Sequence, residues 1–232
     1  MQDIAARLTR RAILGGFGAV ALAAPLGLSA LQAKGLGLSS ILGKASDSAL
    51  DKLAKPGAFY DDESIRIGLP LGGGKSGGLG GMLGGVLSGV DRIGLLDGFT
   101  RKLNDAAGVA AGEAKPIFRD AIDDLSFDDV PGIVKEDTGG TQYLRRSSND
   151  RLHGKLEPLV DTALGDLGAH NQLDELNAKY SWLAALGLDR AGLNKTVTDQ
   201  GLDGIFKYMG VEEKAFRANP LGKTGKLLDG IF

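Results

Sequence analysis

Cysteine is absent from the 232-residue chain, and its two histidines, His153 and His170, stand 17 residues apart. Without a thiol there can be no disulfide, thiolate metal site, thiol catalysis or lipid-bearing N-terminal cysteine. Two histidines are too few for a histidine-rich metal site or a multi-histidine relay. The carboxylates at 61–63, 120–129 and 212–213 lack the spacing and turn glycine of a calcium loop. Neither a metal nor a cofactor is therefore expected. A charge excess is missing too, with 27 basic against 29 acidic side chains, which argues against a dedicated nucleic-acid binder. Aromatics make up only 6% of the chain. Glycine is the exception: its 37 positions are about twice the usual ~7%.

Residues 1–33 read as an export signal. Arg7, Arg10 and Arg11 outweigh Asp3, and a weakly apolar stretch follows from Ala12 to Ala24. The segment Thr9-Arg10-Arg11-Ala12-Ile13-Leu14 resembles the twin-arginine signal, with Arg10 and Arg11 as the pair. Glycine dilutes the apolar stretch, and Pro25 breaks it before a cleavage site. Ala33 is the favoured last signal residue, although Leu31 is not the small residue expected two positions earlier. Ala21-Leu22-Ala23 fits the small-x-small rule better but would leave an apolar start on the mature chain. An uncleaved anchor is the rival reading, since Ala12–Leu31 spans 20 residues. Five Gly or Pro interruptions within it weigh against a continuous apolar span. The expected location is the periplasm, reached in the folded state, with membrane contact only if the signal stays uncleaved.

The remaining chain, 34–232, carries helical periodicity nearly throughout and predicts a single all-α domain of about eight to nine helices. Leu38, Ile41, Leu42, Ala45, Ala49, Leu50 and Leu53 recur at steps of three and four, ending before Pro56-Gly57. Residues 56–71 read as an extended connector with a short strand at Ile65-Arg66-Ile67. Ten of the 18 residues from 72 to 89 are glycine, predicting a loop, then a helix with Leu79–Ile93 as one stripe and glycines opposite. Further helices are expected over 97–110, 113–125, 126–135, 141–167 (kinked or restarted near Pro158), 171–186 and 194–217. A last one begins at Asn219-Pro220. No repeated strand–helix unit is present.

Motifs for chemistry are few. Gly72-Gly73-Gly74-Lys75-Ser76 looks like a phosphate loop, but Leu69 stands where its first glycine belongs. Gly222-Lys223-Thr224 fails similarly, with Arg217 at that position, so no nucleotide is expected. Asp120 and Asp124 share a solvated helix face. No serine lies in a nucleophile-elbow sequence. Tyr143-Leu144-Arg145-Arg146 is the densest polar–aromatic cluster, and arginine pairs suit carboxylates or phosphates. The plainer reading pairs Arg145 or Arg146 with an acid on a neighbouring helix. Glu213 and Arg217 suit i,i+4 pairing. Tyr180 and Trp182 read as packing residues with polar edges.

The order and spacing of several segments resemble a bacterial envelope family known as domain of unknown function 4197. They are Lys55-Pro56-Gly57-Ala58-Phe59, Ile65-Arg66-Ile67 with Pro70, and Glu113-Ala114-Lys115-Pro116-Ile117-Phe118. Thr141-Gln142-Tyr143-Leu144-Arg145-Arg146, Leu202-Asp203-Gly204-Ile205-Phe206, and Glu212-Glu213 with Arg217, Asn219 and Pro220 complete the set. The resemblance implies an exported all-helical protein without an established biochemical role. Two departures stand out: the glycine-rich 72–89 stretch replaces an ordinary amphipathic helix, and Lys223 replaces a common arginine. The expected function is non-catalytic binding of an apolar or amphipathic ligand, or of another envelope protein. Glu113, Lys115, Tyr143, Arg145, Arg146, Glu212, Glu213 and Arg217 form the candidate binding cluster. The alternatives are a hydrolase-like enzyme built from the Glu, Tyr and Arg of that cluster, and a membrane-associated envelope protein.

Overall fold

The apolar stripe beginning at Leu38 becomes the central helix of the domain. In the computed structural model, which describes residues 26–69, 91–126, 133, 136–185 and 187–218, helix α1 runs Leu26–Leu53. Leu42, Ala45, Ala49, Leu50 and Leu53 on it are fully buried. It ends where sequence chemistry demands: Pro56 cannot continue the helix, and Gly57 turns the chain at a φ of +78°. A single turn, α2 (Ala58–Asp61), then seats Phe59 in the core. The chain next turns at residues 63–65 and has no regular secondary structure at 66–69. The short strand expected at 65–67 is not formed, because no second strand lies beside it among the described residues.

Helix α3 (Asp91–Glu113) presents Phe99, Leu103, Ala106, Ala107, Ala110 and Ala111 to the core. It starts six residues before the expected 97. Helix α4 (Lys115–Asp123) follows at once, with Pro116 in its first turn as the sequence predicts. Helix α5 (Gly139–Asp166) is one continuous element, not two. Pro158 sits inside it because Pro158 and Gly154, four residues earlier, are both exposed. The backbone acceptor freed by the missing N–H belongs to that exposed glycine, where water can satisfy it.

Helix α6 (Ala169–Lys179) stops well short of the expected 186, and a separate turn, α7 (Trp182–Ala185), follows. The physical reason lies in Asn177, whose Nδ2 donates to the Leu188 carbonyl at 2.8 Å and ties the returning chain back across α6. Helix α8 (Arg190–Ala218) packs lengthwise against α1 and α5. Phe118 and Phe206 meet edge-to-face, centroids 6.0 Å apart, where α4 touches α8.

The class is all-helical, with no strand among the described residues. Among the described residues six helices have nine residues or more and two are four-residue turns, a count slightly off the eight to nine expected. The Arg10-Arg11 signal pair, the glycine-rich 72–89 stretch and the Asn219-Pro220 helix lie outside the described residues. So does most of the 126–135 helix.

Candidate functional site

The first turn of α5 reads Gly139-Gly140-Thr141, a start with free backbone N–H groups and no capping side chain of its own. The cap comes from α8. Glu213, fully buried, accepts the Gly140 N–H at 2.9 Å and the Thr141 N–H at 2.7 Å. One helical turn further along α8, Arg217 donates to Glu213 Oε1 from Nε at 2.9 Å and from Nη2 at 2.6 Å. The carboxylate thus neutralises a guanidinium and a helix N-terminus together.

Close approach requires the two glycines. A Cβ on Gly139 would lie 2.1 Å from the Ile133 carbonyl oxygen. One on Gly140 would meet Glu213 Oε1 at 2.7 Å and the Leu42 and Leu38 side chains at 2.9 and 3.0 Å. Thr141 Oγ1 is buried beside this cap and has no hydrogen-bond partner among the described residues.

Glu212 faces the other way. Its carboxylate takes the Ser48 hydroxyl at 2.7 Å and the Lys52 ammonium, both from α1. Adjacent acids on α8 therefore hold two different helices.

The other members of the cluster have separate partners. Lys115 pairs with Asp51 at 2.5 Å, one turn from the two-pronged Arg119–Asp47 bridge that also joins α4 to α1. Tyr143 donates to the Ser126 carbonyl at 2.5 Å. Arg145 pairs with Asp203 and lies over the Phe206 ring at 5.4 Å, the neighbouring-helix pairing that the plainer reading expected. Glu113 and Arg146 are exposed. Glu213 and Arg217 of the cluster meet at one carboxylate.

Sequence reasoning did not single out Gly139, Gly140, Ser48, Lys52, Asn104 or Gln200. The doubled glycine at a helix start was a usable signal. So was Asn104, a polar residue set among Leu103, Ala106 and Ala107 on a buried face.

Just after α2, Asp62 accepts from the Ser64 hydroxyl, the Ser64 N–H and the hydroxyl of Tyr208 on α8, which together hold it below the usual carboxylate range. Burial, reinforced by the hydrogen bond to Asp62, raises the Tyr208 phenol. His153 and His170 fall on separate helices, as expected. Among the described residues no three metal-ligating side chains converge, and no helix is long and apolar enough to cross a membrane. An apolar cavity where Ala107 and Ala110 of α3 face Leu156 and Val160 of α5 and Gly201 of α8 has room for about one water molecule.

The fold and this clamp define a helical domain whose conspicuous polar residues join helix to helix. The chain belongs to the family described as protein of unknown function (DUF4197), whose model matches residues 29–232. No curated protein and no solved structure matches it.

Proposed function

We propose that the chain is a periplasmic protein exported by the twin-arginine route, and that its helical domain is a non-catalytic module binding another envelope protein. The observation that carries this reading is the engagement of the polar cluster. Glu213 is held by Arg217 and two backbone amides, and Arg145, Lys115 and Tyr143 each hold a different element. Acids and bases so engaged are poor general catalysts, which must be free to exchange protons with a substrate. A cavity with room for one water favours a partner on the surface over a ligand enclosed between helices.

Two measurements test it. Changing Arg10→Lys and Arg11→Lys together leaves the protein in the cytoplasm, and unchanged periplasmic recovery would refute the route. Native mass spectrometry of protein released from the periplasm gives a complex with a second protein chain. A stoichiometric small-molecule adduct instead, or ester hydrolysis abolished by Glu213→Gln, would overturn the module.

A further inference from the structure

The turn at 63–65 brings Arg66 back over Tyr60 of α2. That ring is half-buried, and its hydroxyl donates to Asp97 of α3, which pins it. Two guanidiniums stack on it, Arg101 of α3 at 3.9 Å from the centroid and Arg66 at 4.8 Å. Arg66 Nε donates to the Tyr60 carbonyl, which fixes the guanidinium plane. From the core side two amides hold the backbone that follows. Asn104 of α3 accepts the Ile67 N–H at 2.8 Å and donates to the Ile67 carbonyl at 3.0 Å. Gln200 of α8 does the same for Gly68, at 2.9 and 3.1 Å. The terminal nitrogens of Arg66, an exposed residue, have no partner among the described residues, and Arg101 meets Asp97 only at 3.9 Å. Lys207 of α8, also exposed, reaches the Ser64 carbonyl at 3.3 Å and adds a third cation. Nearby acids leave the Arg66 fork open: Asp97 and Asp62 each accept a tyrosine hydroxyl, Asp61 folds back toward Gly57, and Glu63 is exposed.

We propose that this face, Tyr60 with Arg66, Arg101 and Lys207, docks an acidic segment of a partner protein, one of whose carboxylates takes the open fork of Arg66. The proposal rests on the binding-module reading and names the partner's chemistry. A guanidinium presents paired N–H donors that match a carboxylate in geometry and charge. Stacking and the bond to the Tyr60 carbonyl have already oriented this one, so less freedom is lost when a partner binds. Tyrosine and arginine are also the side chains that carry most of the energy at protein interfaces. Three cations attract an anionic membrane only weakly, and the net charge of −2 opposes lipid and nucleic acid alike.

The test is fluorescence anisotropy of a labelled hexaglutamate peptide with the full chain at low salt. Saturable binding is expected, weakened at least about tenfold by Arg66→Met or Arg101→Met. Arg66→Lys, which keeps the charge without the fork, stays at least about threefold weaker than the unaltered chain. Lys44→Met, at an exposed position of α1, changes binding by less than about twofold. No saturation by millimolar peptide, or equal losses from Lys44→Met and the arginine variants, overturns the proposal. So does binding to phosphatidylglycerol vesicles that the arginine variants lose while the peptide fails to bind, which assigns the face to a membrane. Should the variants fail to fold by circular dichroism, nuclear magnetic resonance on the unaltered chain decides. Peptide-induced shifts centred on the Tyr60 ring and the Arg66 and Arg101 side chains support the face, and shifts centred elsewhere overturn it. Binding is read on purified protein, so failed export leaves this result standing. A native complex that survives both arginine changes removes this face and leaves the module.

Discussion

Replacing Glu213 with alanine removes the acceptor for two backbone amides and a partner of Arg217 in one step. The side chain is 0% exposed, and the Arg217 side chain is 18% exposed. Solvent therefore offers little compensation to the groups left behind. An amide stranded at a buried helix start costs about 1–3 kcal/mol, and breaking a buried ion pair from one side costs about 3–5 kcal/mol. These overlap, because they describe the same carboxylate, so the expected loss is about 3–5 kcal/mol in all. For a domain of this size that lowers Tm by roughly 6–20 °C. Glu213→Gln keeps one acceptor oxygen and turns an NH2 toward the donors, so roughly half the loss is expected. The assay is urea unfolding followed by circular dichroism, with Arg217→Met and the double variant completing a cycle. Coupling above about 1 kcal/mol is expected, since the two side chains share direct hydrogen bonds. A Glu213→Ala loss below about 1 kcal/mol, or additive singles, would refute the clamp as a source of stability.

Two glycines of α5 offer a paired comparison. Gly140→Ala is destabilising despite the usual helix gain, because its Cβ would press on the Glu213 carboxylate and Leu42. Gly154→Ala, with nothing within 4 Å, stabilises by about 0.5–1 kcal/mol. Equal effects in thermal melts would contradict the packing at Gly140. Asp62 and Tyr208 predict opposite pH limbs. The depressed Asp62 contributes above the ordinary carboxylate pKa, and its contribution disappears as pH falls through the lower folded value. The urea-midpoint gap between the unaltered chain and Asp62→Asn therefore closes below about pH 4; a constant gap from pH 7 to 3 contradicts this. Tyr208 is raised, so its contribution is present below the ordinary phenol pKa and is lost as pH climbs through the folded value. Tyr208→Phe consequently shows a shallower alkaline decline above about pH 10.

Local pattern carried far where the forces were local. The stripe from Leu38 to Leu53 needed only helical spacing to identify a buried face, and Pro116 needed only its missing N–H to mark a helix start. Glu213 and Arg217 were legible as an i,i+4 pair for the same reason. Their burial was not, because what covers them comes from Gly140, 73 residues away in sequence. The end of α6 was hidden likewise: its residues would continue a helix by propensity, and a bond from Asn177 to Leu188 turns the chain. Ile65-Arg66-Ile67 alternates like a strand, and its alternating burial was readable. That its partners would be two amide side chains on helices could not be seen from period alone.

Several residues that marked the family now have contacts. Ile67 is gripped by Asn104, Thr141 begins a helix capped by Glu213, and Arg217 closes that cap. Glu212 adds the tie to α1. The motif is in large part a description of how α8 is joined to the rest of the domain. A catalytic use of Glu213 would require it to release a guanidinium and two amides before meeting a substrate, unsettling α5 each time.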